Sequence, residues 1–495
     1  MTGRLEELSL NLDLLGPEIC LAITAVAAIV ADLLFKRKGA VTIASLAGIG
    51  IATVLTVSLL NKNPQTIGNG LFALDNYAIF FTLLFLGLAF MVILASTDYV
   101  SRMSDFHGEF HALILTATLG AMLTAAATDI ISILLSVELT AISFYALVGF
   151  LKDGKASESS LKYLLLGAVN SAVLLYGLAM VFGFSGSTRL AEIAQAVSNI
   201  PSQGAAGSAG LIFGLALVGA GFSFKIAAVP FHMWAPDVYE GAPTPITLYL
   251  STASKIAGFA ILLRFLLTGF IQPMALSQNW GIALAVISAL TMTLGNLVAI
   301  PQTNIKRLLA YSSIAQSGYM LIALASLGMT AAASNTIQSS LLFYILAFAL
   351  AEIAVFAVVI IVSHKINNDL IEGYAGLAKR SPLLAVTLTI GLLSLMGLPP
   401  MAGFIAKFYV FSQAARSGLG WLVIIAVINS VISAYYYLRI VKTMWMDAPA
   451  GDESISSSSA PKLALIIACI GIVILGIVPA LITRATEFGS HLLLP

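Results

Sequence analysis

Three lysines and a glutamate stand where the chain is otherwise apolar enough to lie in a lipid bilayer: Lys225, Lys255, Lys407 and Glu138. Lys225 and Lys255 flank a proline-broken, polar turn inside the stretch Gly221–Arg264. An ammonium is costly to place in hydrocarbon, so it marks an ion path or a paired charge. An ammonium taken out of water releases its proton more readily, and an adjacent carboxylate restores its hold. A Glu138–Lys225 pair therefore reads as a switch, in which a second proton, or departure of the glutamate, lets the lysine pass its proton on. Its size is adequate, because a contact pair is worth about 4 kcal/mol at an effective dielectric of about 20. Moving one proton against about 100–200 mV costs about 2.3–4.6 kcal/mol.

The other ionisable residues inside apolar runs are Asp32, Asp129, Arg264, Glu352 and Arg439. Asp32, Asp129, Arg264 and Arg439 fall near expected helix ends, where snorkelling to the interface accounts for them. Glu352 is too central for that, as are the first four residues, and a static salt bridge is the alternative to proton work. Pro230 removes a backbone donor and frees the carbonyl of Ile226, next to Lys225; Pro399 and Pro400 do the same to Leu395 and Met396. Freed carbonyls at membrane depth are tolerated only against protein or water, so each break implies a hydrated pocket; the plainer reading is a packing kink. His232, beside the first break, is a candidate relay or a cap on a freed carbonyl.

The elements that must position these groups follow from composition. Of 495 residues, 59% are hydrophobic and 9% charged, whereas soluble domains carry about a quarter charged residues. The chain is an all-α polytopic membrane protein by that measure. A net charge of +1 gives no reason to expect a nucleic-acid partner. Cys20 and Cys469 have no second thiol or histidine at metal-ligand spacing, so no metal site is expected. No phosphate loop, nucleophile triad or dinucleotide fingerprint occurs. The acidic N-terminus lacks the marks of a cleaved signal peptide, so the first apolar run is expected to be a true span.

Apolar runs of about 20 residues predict 14 spans: 14–35, 40–60, 76–96, 110–126, 130–150, 161–182, 209–229, 246–269, 280–300, 308–326, 339–363, 383–411, 421–444 and 463–483. Basic residues gather after odd-numbered spans, including Lys36–Lys38, Arg102, Lys152, Lys155, Lys306, Arg307, Lys365, Lys379 and Lys442, while the opposite loops hold only Lys62, Arg189 and Arg416. Cytoplasmic loops carry the excess, so both termini are expected outside. The Ser-rich, acidic loop Asp447–Pro461 then faces inward. Residues 1–109 form an N-terminal three-helix segment, 110–269 and 270–444 two five-helix blocks, and 445–495 a cytoplasmic loop and C-terminal helix. Pro230 lies 120 residues after Phe110, and Pro399 lies 119 after Trp280. Blocks of five helices must start on opposite sides of the membrane, which is the plan of an inverted repeat, each copy with one proline-broken helix.

Four strings carry a resemblance. KIAAVPFHMWAPDVYEGAPTP from Lys225 with Ser251 and Lys255 following, IKRLLAYSSIAQSGY at Ile305–Tyr319, GLPPMAGFIAKFYVF at Gly397–Phe411 and VELTAISFYALVGF at Val137–Phe150 together resemble the antiporter-like membrane subunits of respiratory complex I. The resemblance spans nearly the whole chain, and a lysine rather than a glutamate in the twelfth span points to the subunit N branch. It implies a proton-pumping unit of an NADH-quinone oxidoreductase in a prokaryotic plasma membrane, driven by quinone reduction elsewhere in the complex. Glu138 would be the charge partner, Lys225 the switching lysine, Lys255 the central carrier and Lys407 the exit-side carrier. No cofactor is expected in this chain; NADH, FMN, iron–sulfur clusters and quinone belong to other subunits. The implied partners are the lipid bilayer and the other membrane-arm subunits, including the homologous antiporter-like subunit and small helical subunits.

Two positions depart from that pattern. Gln316 stands where many relatives carry histidine, and an amide orients water without holding a proton. Glu352 is an unexpected carboxylate, which either joins the central chain or pairs with a neighbouring subunit. The competing readings are a subunit of a multi-subunit cation/proton antiporter and a structural spacer with static ion pairs.

Overall fold

The computed structural model describes residues 11–35, 39–103, 105–198, 205–330, 334–449, 455 and 458–492. The basic run Lys36–Lys38 and, in the loop Asp447–Pro461, residues 450–454 and 456–457 lie outside the described residues. Helices dominate: α1 (Gly16–Leu34), α2 (Gly39–Ser58), α3 (Asn76–Met103), α4 (His107–Ala126), α5 (Ile130–Val148), α6 (Gly154–Ser185), α7 (Leu190–Ser198) and α8 (Ala205–Lys225). A short helix α9 (Trp234–Gly241) then leads into α10 (Thr244–Tyr249), which runs through a π-turn (Leu250–Ser254) into α11 (Lys255–Gly269). There follow α12 (Met274–Ala299), α13 (Ile305–Thr330), α14 (Asn335–Ile366), α15 (Leu377–Arg380), α16 (Pro382–Met396), α17 (Ala402–Arg416), α18 (Gly420–Met446), α19 (Ser459–Ile477) and α20 (Ala480–Gly489). A two-stranded antiparallel ribbon, β1 (Gln65–Ile67) with β2 (Phe72–Leu74), closes the loop before α3.

Twelve helical segments among the described residues are long and apolar enough to cross a membrane, and two shorter apolar helices, 209–225 and 382–396, accompany them. The two that fall short are the ones interrupted beside Pro230 and Pro399. A proline lacks the donor that continues the ladder, so the expected span 383–411 divides into α16 and α17, and the helix of the expected span 209–229 stops at Lys225, short of Pro230.

Burial sorts the helices into a core and a rim. Every residue in the apolar window of Thr244–Gly269 is buried, as are 94% in that of α13 and 89% in that of α14, against 33% in α1 and α2. The three most buried segments carry Lys255, Gln316 and Glu352. Small residues bring α12 and α13 together: a Cβ on Gly318 would lie 2.6 Å from the Met292 nitrogen. That close approach fixes the height and rotation of α13 and of the SSIAQS string within it.

Two residues expected to snorkel do something else. Arg264 is fully buried and donates to both oxygens of Asp75, 2.8 and 2.9 Å away, and to the carbonyl of Ala125 at 2.7 Å. Its guanidinium also lies 4.8 Å from the centre of the Tyr77 ring. A fully desolvated guanidinium must have its donors matched, and Asp75 with the Ala125 carbonyl matches three. Asp129 caps α5, accepting from the Ile131 backbone at 2.8 Å. Arg439 is half-buried and donates to the carbonyls of Ile300 and Gln302 just beyond the end of α12.

Candidate functional site

The first break follows Lys225, the last residue of α8. Ala227 takes a left-handed conformation (φ 55) and Ala228 bonds back to Ser223, which closes the helix end. Lys225 is 7% exposed, and its Nζ lies 4.0 Å from Glu138 Oε1 on α5, the pairing expected from the sequence. Ser171 on α6 donates to the same carboxylate oxygen. Lys225 Nζ has no hydrogen-bond partner among the described residues. It borders a cavity of about 20 Å³ lined by Thr124, Thr140, Tyr163 and Ser254, room for one water. A pocket at this break is therefore present, though small.

The carbonyl of Ile226 is free of the helix, as expected, and Ser317 on α13 donates to it at 2.7 Å. Trp234 Nε1 reaches back to the Phe224 carbonyl at 3.0 Å and pins α9 under the break. Pro230 itself is exposed and His232 is half-buried, and the freed carbonyl of Ile226 takes its donor from Ser317.

The second break has the opposite arrangement, with its lysine after the interruption. Lys407 on α17 donates to the Met396 carbonyl at the end of α16 at 2.8 Å and to Ser430 at 3.1 Å, and stands 4.5 Å above the Tyr319 ring. Gln316 Nε2 donates to the Leu395 carbonyl at 2.9 Å, and Gln316 Oε1 accepts from Tyr344 at 2.6 Å. Both carbonyls freed by Pro399 and Pro400 thus have donors, one of them Lys407. A cavity of about 10 Å³ lies among Gln316, Tyr344, Phe348, Ala351, Ser394 and Lys407.

Between the breaks lies Lys255, 2% exposed, whose Nζ donates to the Ser313 carbonyl and hydroxyl, each at 2.5 Å. Ser317 also donates to the Ser313 carbonyl, at 3.2 Å. On α13, positions 313 and 317 share one face, turned to Lys255 and Ile226. Positions 312, 316 and 319 share the next, turned to Tyr437, Leu395 and Lys407. One helix thus lays polar groups against both breaks. Reading ionisable residues alone misses Ser312, Ser313 and Ser317; their signal was a cluster of hydroxyls and an amide at i, i+4 spacing in an otherwise apolar helix.

Glu352 on α14 is fully buried, which excludes pairing with a neighbouring subunit. Its Oε2 accepts from Ser251 at 3.0 Å. Two larger polar cavities sit at opposite ends of α14. One of about 530 Å³ is lined by Asp153, Glu240, Thr244, Lys306, His364 and Asp369. The other, of about 520 Å³, is lined by Asn335, Tyr409, Gln413, Glu487 and His491. A helix of 32 residues is about 48 Å long at 1.5 Å per residue, so these cavities stand a membrane's width apart.

Residues 127–433 match the family described as NADH:quinone oxidoreductase/Mrp antiporter, transmembrane. A NADH-quinone oxidoreductase subunit N from Dehalococcoides mccartyi is 48% identical over 97% of this chain and the whole of its own length. A chain of respiratory complex I from Thermus thermophilus, solved with bound aureothin, is 34% identical, covers 94% of this chain and 98% of its own, and superposes with a TM-score of 0.79. A chain of the Mrp complex from a Dietzia species shares the fold, with a TM-score of 0.83 over 97% of each chain at 18% identity. The broken helices and buried lysines described above lie within the matched segment, and the chain belongs to the NADH:quinone oxidoreductase/Mrp antiporter membrane-subunit family, on its NADH-quinone oxidoreductase subunit N branch.

Proposed function

We propose that this chain moves protons across the membrane as one unit of the membrane arm of an NADH-quinone oxidoreductase, coupled to quinone reduction elsewhere in the complex. One observation carries this reading: α13 presents Ser313 and Ser317 to Lys255 and the first break, and Gln316 to the second. Polar groups of one buried helix therefore touch the central lysine and a freed carbonyl at each break. Glu138 holds the charge of Lys225, Lys255 carries protons in the centre, and Lys407 passes them outward. The cavity beside Lys306 and Asp369 is the inner inlet, and the one beside Glu487 the outlet. The chain crosses the membrane 14 times, with both termini outside and two inverted five-helix blocks at 110–269 and 270–444. NADH, FMN, iron–sulfur clusters and quinone are held by other subunits. Cation/proton exchange has behind it the shared family description and a likeness of fold at 18% identity, against 48% identity to a subunit N over the whole of that relative's length.

The test replaces Lys225 or Lys407 by alanine in the assembled complex in proteoliposomes, with proton uptake measured during NADH-driven quinone reduction. Loss of coupled proton movement in an assembled complex is expected. Pumping at the unaltered level in both variants overturns the assignment.

A further inference from the structure

Glu352 is the one buried carboxylate that the foregoing scheme leaves without a task. It is fully buried, its Oε2 accepts a single hydrogen bond from Ser251, and its Oε1 has no partner among the described residues. A static structural carboxylate in a membrane core is held by several donors, because each unpaired oxygen is costly there. This one keeps an oxygen in reserve.

The backbone explains how it comes to face the path. Ser251 and Lys255 are four residues apart, and on an uninterrupted α-helix they would look toward the same neighbour. The π-turn at Leu250–Ser254 shifts the register, so that Ser251 addresses Glu352 on α14 while Lys255 addresses Ser313 on α13. Lys255 Nζ also lies 5.9 Å from the ring of Phe348, one turn before Glu352. From the other side, the small cavity beside Lys407 reaches Phe348 and Ala351, the residue next to Glu352. The carboxyl thus stands between the central lysine and the second break. The other groups there that hold a proton are phenols: Tyr239 on α9 and Tyr437 on α18, within Coulombic reach of Glu352, and Tyr344, whose hydroxyl donates to Gln316 in the cavity beside Lys407. Gln316 carries no exchangeable charge.

We infer that Glu352 is the proton acceptor for Lys255, so that the middle of the path is a second carboxyl–lysine pair that hands protons on toward Lys407. In the step, an N–H bond of the Lys255 ammonium breaks and an O–H bond forms on Glu352 Oε1, the proton crossing by way of one water because the two groups are not in direct contact. A charged pair becomes a neutral amine and a neutral acid, with no change in net charge. The next proton to arrive restores the ammonium, and the acid releases its proton outward. This deepens the translocation reading and rests on it.

The experiment uses the whole complex in proteoliposomes, with Glu352→Gln, Glu352→Asp and Lys225→Ala compared for assembly, quinone reduction, proton uptake and the infrared C=O band of a protonated carboxyl. Glu352→Gln is expected to assemble, to lower coupled proton uptake by about tenfold or more and to lose one carboxyl band, with part of the uptake restored in Glu352→Asp. Unaltered pumping in Glu352→Gln alongside its loss in Lys225→Ala overturns the role of the carboxyl alone. Unaltered pumping in both overturns the translocation reading itself. Should Glu352→Gln fail to assemble, Ser251→Ala removes only the donor to Oε2: a shifted carboxyl band during turnover supports the role, and an unshifted one overturns it.

Discussion

Lys407 Nζ donates to the carbonyl of Met396 at 2.8 Å, so the ammonium closes the C-terminal end of the half-helix that precedes it. A cation at a helix C-terminus meets the negative end of the dipole. Here it also supplies a donor that the proline-broken backbone lacks.

That contact depends on Gly397. It follows the last residue of α16 at φ 87, and a Cβ there would lie 2.9 Å from Lys407 Cδ. Gly397→Ala is expected to lower stability by about 1–2 kcal/mol from the left-handed backbone alone. It is also expected to slow coupled proton uptake by moving the lysine stem. Thermal unfolding of the purified complex and uptake in proteoliposomes measure the two effects; an unaltered value of both would show that the contact is dispensable.

Ser317→Ala removes the donor from the Ile226 carbonyl. A buried acceptor left without a partner costs about 1–3 kcal/mol, and the expected result is a lower melting temperature. Ser317→Thr keeps the hydroxyl and should hold the melting temperature nearer the unaltered value. Equal melting of the alanine and threonine variants would show that another donor takes over.

Arg264 and Asp75 test a buried pair that does no proton work. Arg264→Met leaves Asp75 uncompensated in a core 0–1% exposed, with an expected loss of about 3–5 kcal/mol. Asp75→Asn added to Arg264→Met should recover part of that loss, because the stranded charge is gone. The double variant melting below the single one would refute the pairing as the source of the cost.

On the surface, Arg307 joins Asp237 at 2.7 Å and Glu240 at 3.1 Å, and Lys162 joins Asp237 at 3.3 Å. Burial pushes the Asp237 carboxyl up, but the hydrogen bonds from Arg307 and Lys162 outweigh it and hold it below the usual carboxylate range. A depressed native value stabilises the fold fully above the ordinary aspartate value, about 4. That contribution is lost as the pH falls through the native value. Arg307→Gln should therefore raise the pH of acid unfolding, followed by helical circular dichroism in detergent, and an unmoved midpoint would count against the network.

Much of this was legible in the chain. Apolar runs locate the membrane segments because hydrocarbon thickness sets a length that any stretch either meets or misses. Proline at 230, 399 and 400 announces which carbonyls are freed, because the missing donor is a property of the residue itself. Glu138 and Lys225 announce a pair, since each is too costly to leave alone. Tertiary structure decided who answers whom. The donors to Ile226, Leu395 and Met396 prove to be Ser317, Gln316 and Lys407, and the first two reach across from α13. Arg264 looked like an interface residue until Asp75, 189 positions away, was found beside it. Glu352 stood open between two partners until packing closed it inside. Local sequence determines what each segment needs from its surroundings, whereas long-range packing alone determines which segment supplies it.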